Sequence, residues 1–248
     1  MTDAAQTAIP AMSGGRRGQQ KRGPQMLALT VIHILFGTIS IVAGASAMVL
    51  KKGAKLHRLS GRVFAVSLVL SSVAGCCLAL IVDDQFLAFL AGVLTVYLVG
   101  SGVLAAAGRA GQRSHLAMFA IASTLTGAMF WLAWEASRAE AGTMLGYGPG
   151  PYIFLGAICL IATLGDVRTL IARTLGPADR LSRHLWRMSF GFFIAAGSLF
   201  TGPGASAFPQ SVRESGVLSL PEPLILLLMI FWLIRVRWRS APRTAPSI

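Results

Sequence analysis

Seven apolar runs of about twenty residues, at roughly 26–50, 63–82, 86–107, 116–134, 151–172, 186–204 and 217–235, fill most of this 248-residue chain. A helix needs ~20 mostly apolar residues to cross a hydrocarbon core about 30 Å thick, and these runs match that length. Inside lipid every backbone N–H and C=O must find a partner within the protein, which a helix provides inside a single segment. The predicted fold is therefore all-α, a polytopic transmembrane helical bundle of about seven helices. Composition agrees: 54% of residues are hydrophobic and 12% charged, with a mean hydropathy of +0.67, whereas soluble domains carry roughly 25% charged residues. Two runs are irregular. The fifth holds Asp166 and Arg168 near its end, and the seventh holds Pro221, Glu222 and Pro223 in what would be its first turn, where proline is tolerated.

Three regions follow. Residues 1–25, with Arg16, Arg17, Lys21 and Arg22 and few large apolar side chains, read as a disordered basic tail. Residues 26–238 form the transmembrane domain, and 239–248 a short cytoplasmic tail. The first run is too long for a signal-peptide core and has no clear cleavage site behind it, so it is expected to stay in the mature chain. Lys51, Lys52, Lys55, Arg58 and Arg62, then Arg109 and Arg113, then Arg173, Arg180 and Arg183, and finally Arg235, Arg237, Arg239 and Arg243 fall at alternate ends of the runs, which the positive-inside rule makes cytoplasmic. The opposite loops hold Asp83 and Asp84, then Glu135, Arg138 and Glu140, then Arg213, Glu214 and Glu222. Seven crossings with a cytoplasmic C-terminus put the basic N-terminal tail on the disfavoured side, and the stronger charge of the first loop is expected to prevail over it. The formal net charge of +13 is then a signal for topology and for the anionic lipid bilayer. Scattered over loop ends with no folded basic face, it argues against a nucleic-acid partner.

Trp131 and Trp134 at outer ends, and Trp186, Trp232 and Trp238 at inner ends, fit rings seated at headgroup level. Small residues one turn apart, Ser71 and Gly75, Ser123 and Gly127, Gly191 and Ala195, suggest close helix seams, with the second, fourth and sixth segments facing a shared interior. Cys76, Cys77 and Cys159 have no paired spacing and read as apolar filler. Gly148, Pro149, Gly150 and Pro151 read as a turn. HExxH, GxSxG, Walker and dinucleotide-binding patterns are missing, which argues against hydrolase and nucleotide-dependent chemistry.

The residues with chemistry to offer are His57, His115 and His184. Each sits within two residues of an arginine and just before an apolar run: LHRLSGRVF at 56–64, RSHLAMF at 113–119 and SRHLWRMSF at 182–190. A two-helix unit repeated three times behind one extra helix generates this pattern. Helices entering from one side would bring three imidazoles to one depth, where Arg58, Arg183 and Arg187 also lie. Imidazole ligates haem iron, binds metal ions or exchanges protons near neutrality. A haem b or metal site, with arginines on propionates or on a quinone or other redox partner, is one reading. A proton or ion pathway through Asp166 and His33 is a second, and interfacial anchoring with no small-molecule site is a third. Asp166 needs a partner at its depth, for which Arg168, Arg183, Arg187 and the histidines are candidates. His33, alone in the first run, reads as an interior hydrogen-bonding residue or a second redox level.

The run KKGAKLHRLSGRVFAVSLVLSSVAG resembles the opening of the bacterial membrane proteins grouped as DUF2306, in which a KGxxxHRxxGR-type loop precedes a helix. RSHLAMFAIAS is similar to that family's second histidine-led entrance, although the basic and tryptophan residues expected after the histidine are missing. RHLWRMSFGFFIAAGSLFTG resembles a third block of longer relatives. The resemblance covers about a quarter of the chain. It implies a multi-pass protein of the bacterial inner membrane and carries no established activity with it.

Overall fold

A computed structural model describes residues 14–82, 85–108, 111–172 and 175–240. The expectations for residues 1–13, Asp83, Asp84, Arg109, Arg173 and Arg243, and for the side chains of Arg16, Arg17, Lys21 and Arg22, lie outside what it describes. The chain is an all-α bundle with helices α1 (Gly14–Val49), α2 (Lys55–Ala79), α3 (Phe86–Ala107), α4 (Gln112–Arg138), α5 (Pro149–Ala172), α6 (Pro177–Phe200), a short α7 (Gln210–Glu214) and α8 (Pro221–Ser240). Six of them are long and apolar enough to cross a membrane, α1 counting from Gly23, and the protein is a multi-pass membrane protein. The remaining long helix, α6, has 24 residues and carries Arg183 and Arg187 on its length. It packs against α3 and α8 and turns those charges toward α5, so protein and not lipid surrounds them.

Short connections make successive helices antiparallel neighbours. The pairs α2 with α3, α4 with α5 and α6 with α8 each pack together, while α1 lies along α2, and α3 packs on α6. One core fills the space between α3, α4 and α5, with Leu94, Leu98, Met129, Tyr152 and Cys159 fully buried. A second, between α1, α2, α3, α6 and α8, centres on Phe64, Leu68, Val99, Phe192 and Ala196. Phe64 and Phe192 meet edge to face at 5.8 Å. Gly44 makes room for them, since a Cβ there would stand 2.9 Å from the Phe192 ring.

Several boundaries move in ways that matter. The second, fourth and sixth apolar runs begin at 63, 116 and 186, yet their helices begin at Lys55, Gln112 and Pro177. Polar residues wind onto the helices ahead of the apolar runs, with backbone partners on neighbouring helices for His57 and His184, so His57, His115 and His184 all stand on helices and not in loops. The run at 148–151 is not a free turn: α5 starts at Pro149, whose missing N–H costs nothing in a first turn. Of the shared interior expected for the second, fourth and sixth helices, α2 and α6 meet in the second core, whereas α4 packs into the first. Ser71 and Gly75 pack against His33 of α1, and Gly191 against Val99 of α3. Gly127 faces open space on the outside of α4.

Candidate functional site

The C-terminal ends of α1, α3, α5 and α8 and the N-terminal ends of α2, α4 and α6 lie at one end of the bundle, which also carries Lys51, Lys52, Lys55, Arg58, Arg62, Arg180, Arg235 and Arg239. Two cavities open there, and a buried ionic cluster lies beside them.

The larger cavity, ≈ 820 Å³, lies between α1, α2, α3, α6 and α8. Its wall is mainly apolar, including Phe64, Val103, Met188 and Phe192, while Lys52, Arg58, Arg62, Arg235 and Arg239 stand around its basic end. No carboxylate lines it among the described residues. His57 and His184 both face into it. At the end of α1 the last carbonyls lack intrahelical donors. His57 Nδ1 donates to Ala47 O at 3.1 Å, and Lys52 Nζ donates to Ala47 O and Met48 O at 2.8 and 2.7 Å. Lys52 also lies 4.9 Å over the Trp232 ring, joining the α1–α2 turn to α8. Burial lowers the Lys52 ammonium below its usual range. His184 Nδ1 donates to Gly102 O of α3 at 2.9 Å. Gly102 allows this approach, because a Cβ there would meet Met188 Sδ at 3.2 Å and Arg187 Cβ at 3.3 Å.

A carbonyl oxygen only accepts, so each Nδ1 must carry the proton and each neutral ring keeps a lone pair on Nε2. The same arrangement, with Nδ1–H held by a carbonyl, fixes the tautomer of imidazoles that ligate metals.

His115 is placed apart. It lines a separate cavity of ≈ 220 Å³ with Ser101, Gly108, Thr169, Arg180 and Arg183. The three imidazoles expected at one meeting point are thus divided, two in one cavity and one in another. Among the described residues no group of three or more His, Cys, Asp and Glu side chains is placed to hold a metal ion. The free cysteines are dispersed on α2 and α5.

Arg183 and Arg187 do not face the large cavity. They converge with Tyr97 on Asp166, which is 1% exposed. Arg183 Nη2 and Arg187 Nη2 both donate to Asp166 Oδ1, the latter at 2.8 Å, and Tyr97 Oη donates to Oδ2 at 2.5 Å. Arg183 Nη1 also donates to Thr169 Oγ1 and to Gly165 O. Arg187 is fully buried, its guanidinium 5.2 Å from the Tyr97 ring and 5.3 Å from that of Trp186. Its Nε and Nη1 have no acceptor among the described residues and lie against these aromatic faces. Of the candidate partners for Asp166, Arg168 is instead paired with Asp179 at 3.1 Å, beside Arg237 at 2.8 Å. His33 clasps α1 to α2: its Nδ1 lies 2.9 Å from Ser71 O, and Ser71 Oγ donates to His33 O at 2.8 Å. It stands in the half of the bundle away from both cavities.

Sequence reasoning assigned Lys52, Arg62, Arg235 and Arg239 to orientation alone, read Trp232 as a headgroup-level ring, and passed over Tyr97. The spacing of Arg235 and Arg239, one turn apart, was the available sign that α8 presents a basic face. Tyr97, whose hydroxyl is too far out to bond its own helix backbone as those of Thr95 and Ser101 do, signalled a buried polar partner. Comparison of the chain with family models, with curated proteins and with solved structures finds no match.

Proposed function

We propose that this membrane protein is a haem-binding redox protein, with His57 of α2 and His184 of α6 as the residues that would hold haem b in the large cavity. The observation that carries the reading is the pair of imidazoles lining one apolar cavity, each fixed through Nδ1–H to a backbone carbonyl with Nε2 free. Two such ligands suit haem, whose ring supplies the other donors, better than a bare metal ion, which needs three or four protein groups. The charge pattern supports the same occupant. A planar apolar group with anionic substituents matches an apolar wall ringed by Arg58, Arg62, Arg235 and Arg239. When bound, haem supplies one-electron exchange. The chain's own residues orient the imidazoles through Ala47 and Gly102, shield the ring with Phe64 and Phe192, and balance charge at the rim. A lipid-soluble quinone is the fitting class of electron partner for such a site.

We further propose that the basic end faces the cytoplasm of a bacterial inner membrane, on the distribution of arginine and lysine. The KGAKLHRLSGR block supports kinship with the DUF2306 proteins. Asp166, whose two oxygens already accept from two guanidinium groups and a phenol, favours a structural role over a proton-carrying one.

The test is an absorption spectrum of detergent-purified protein expressed with ample haem precursor and titrated with haemin. The expected result is a Soret band and stoichiometric iron, both lost in His57→Ala and His184→Ala and unchanged in His115→Ala. Protein that takes up no haemin, or whose band survives both of the first two substitutions, would overturn the proposal.

A further inference from the structure

The smaller cavity supports a separate binding site that does not depend on haem. It is built where the C-terminal ends of α3 and α5 meet the N-terminal ends of α4 and α6. Arg180, Arg183 and His115 line it, and among the described residues no carboxylate does. Arg183 is 8% exposed and shares the single carboxylate of Asp166 with Arg187, so the cluster behind the cavity wall holds a surplus positive charge. A buried cation without a counter-charge is costly in a membrane bundle. Thr169 and Ser101 already donate their hydroxyl protons to Gly165 O and Tyr97 O, so recognition of a ligand falls to the cationic groups.

Size narrows the ligand. A volume of ≈ 220 Å³ is below the roughly 300–1,000 Å³ of ordinary small-molecule sites and suits a small ion with some of its water. Gly108, at φ +64°, ends α3 where a side chain would run into the Arg180 guanidinium, so the glycine leaves Arg180 free to reach the cavity. We infer that this cavity binds a phosphate-type oxyanion, held by Arg180 and the His115 ring and favoured by the surplus positive charge of the Arg183 and Arg187 pair at its wall. Free inorganic phosphate and the headgroup phosphate of an anionic phospholipid share this chemistry.

The experiment measures the thermal midpoint of the full chain in a zwitterionic detergent against added inorganic phosphate, with sodium chloride holding ionic strength constant. A parallel arm places the protein in phosphatidylglycerol or phosphatidylcholine nanodiscs and looks for retained lipid by native mass spectrometry. Expected is a saturable rise in midpoint with phosphate, its apparent Kd weakened at least tenfold in Arg180→Gln and in His115→Gln. Arg62→Gln, on the rim of the other cavity, should stay within twofold. Retention of phosphatidylglycerol that Arg180→Gln abolishes, with no response to free phosphate, supports the site with a lipid as its source. The inference is overturned if neither phosphate nor phosphatidylglycerol gives a specific effect, if Arg180→Gln and His115→Gln respond as the parent does, or if Arg62→Gln loses the response as fully as they do. Each variant is judged on its own ligand-induced shift, so a lowered starting midpoint leaves the outcome readable.

Discussion

The two sides of α6 handle polar groups in opposite ways. Toward α5, Arg183 and Arg187 meet Asp166, Tyr97 and Thr169 in a cluster where both carboxylate oxygens accept hydrogen bonds. Toward α1, α2 and α8, His184 spends one nitrogen on Gly102 and leaves the other facing open space, with Met188 beside it. Adjacent residues, Arg183 and His184, therefore serve different ends about 100° apart around the helix. Inside a membrane a polar side chain that closes on its neighbours supports the fold, whereas one held by a single hydrogen bond at a cavity wall is available to a ligand.

If this contrast holds, substitutions on the two sides should separate stability from binding. The largest stability effect is expected for Asp166→Asn, which strands two buried guanidinium groups. Removing one partner of a buried ion pair costs about 3–5 kcal/mol, which should lower the thermal midpoint in detergent by ~10 °C. A midpoint within two or three degrees of the parent, by roughly the same conversion, would erase the distinction. Next in size is Gly61→Leu. Gly61 lines the large cavity, and a Cβ there meets nothing within 4 Å. Leucine should occlude haemin while raising helix stability by up to ~1 kcal/mol, so the Soret titration fails in a protein that melts no earlier than the parent.

Gly102→Ala sharpens the comparison from within α3. Crowding Met188 and Arg187 should push α6 outward and loosen the His184 anchor, seen as weaker haemin binding together with a midpoint lowered by about 1–3 kcal/mol equivalent. Arg239→Gln should weaken haemin binding only about two- to fivefold, because an exposed charge contributes roughly 0.2–1 kcal/mol. The smallest effect concerns Lys52. Its pKa is lowered by burial, so the folded chain releases this proton before the unfolded chain does. Folding therefore gains stability as pH rises through the lowered value and stops gaining at the ordinary lysine range. Lys52→Met should flatten that alkaline rise in a comparison of melting curves.

The bundle was legible because chain length per apolar run and the absence of water inside lipid leave few alternatives. The start of each histidine-led helix was less so. The apolar pattern begins only at 63, 116 and 186, while the helices start earlier and take in His57, His115 and His184; the open carbonyls of Ala47 and Met48 receive His57 and Lys52, a partnership no local pattern reveals. Sequence spacing showed that three imidazoles share an end, but not how they divide between cavities. That division depends on lateral neighbours: α4 packs on α5 and carries His115 away, while α3 packs on α6 and brings His184 to the side where α2 holds His57. Arg183 and Arg187 looked like cofactor ligands for the same reason. Both were also candidates for Asp166, and the structure selects that pairing over Arg168 and the histidines.

The edge-to-face rings of Phe64 and Phe192, admitted by Gly44, lie at the inner limit of the large cavity, with tightly packed side chains of the second core beyond them. The chamber is therefore a cup and not a conduit. An occupant reached only from the basic end would meet an impermeant reductant or quencher from a single side of a sealed vesicle.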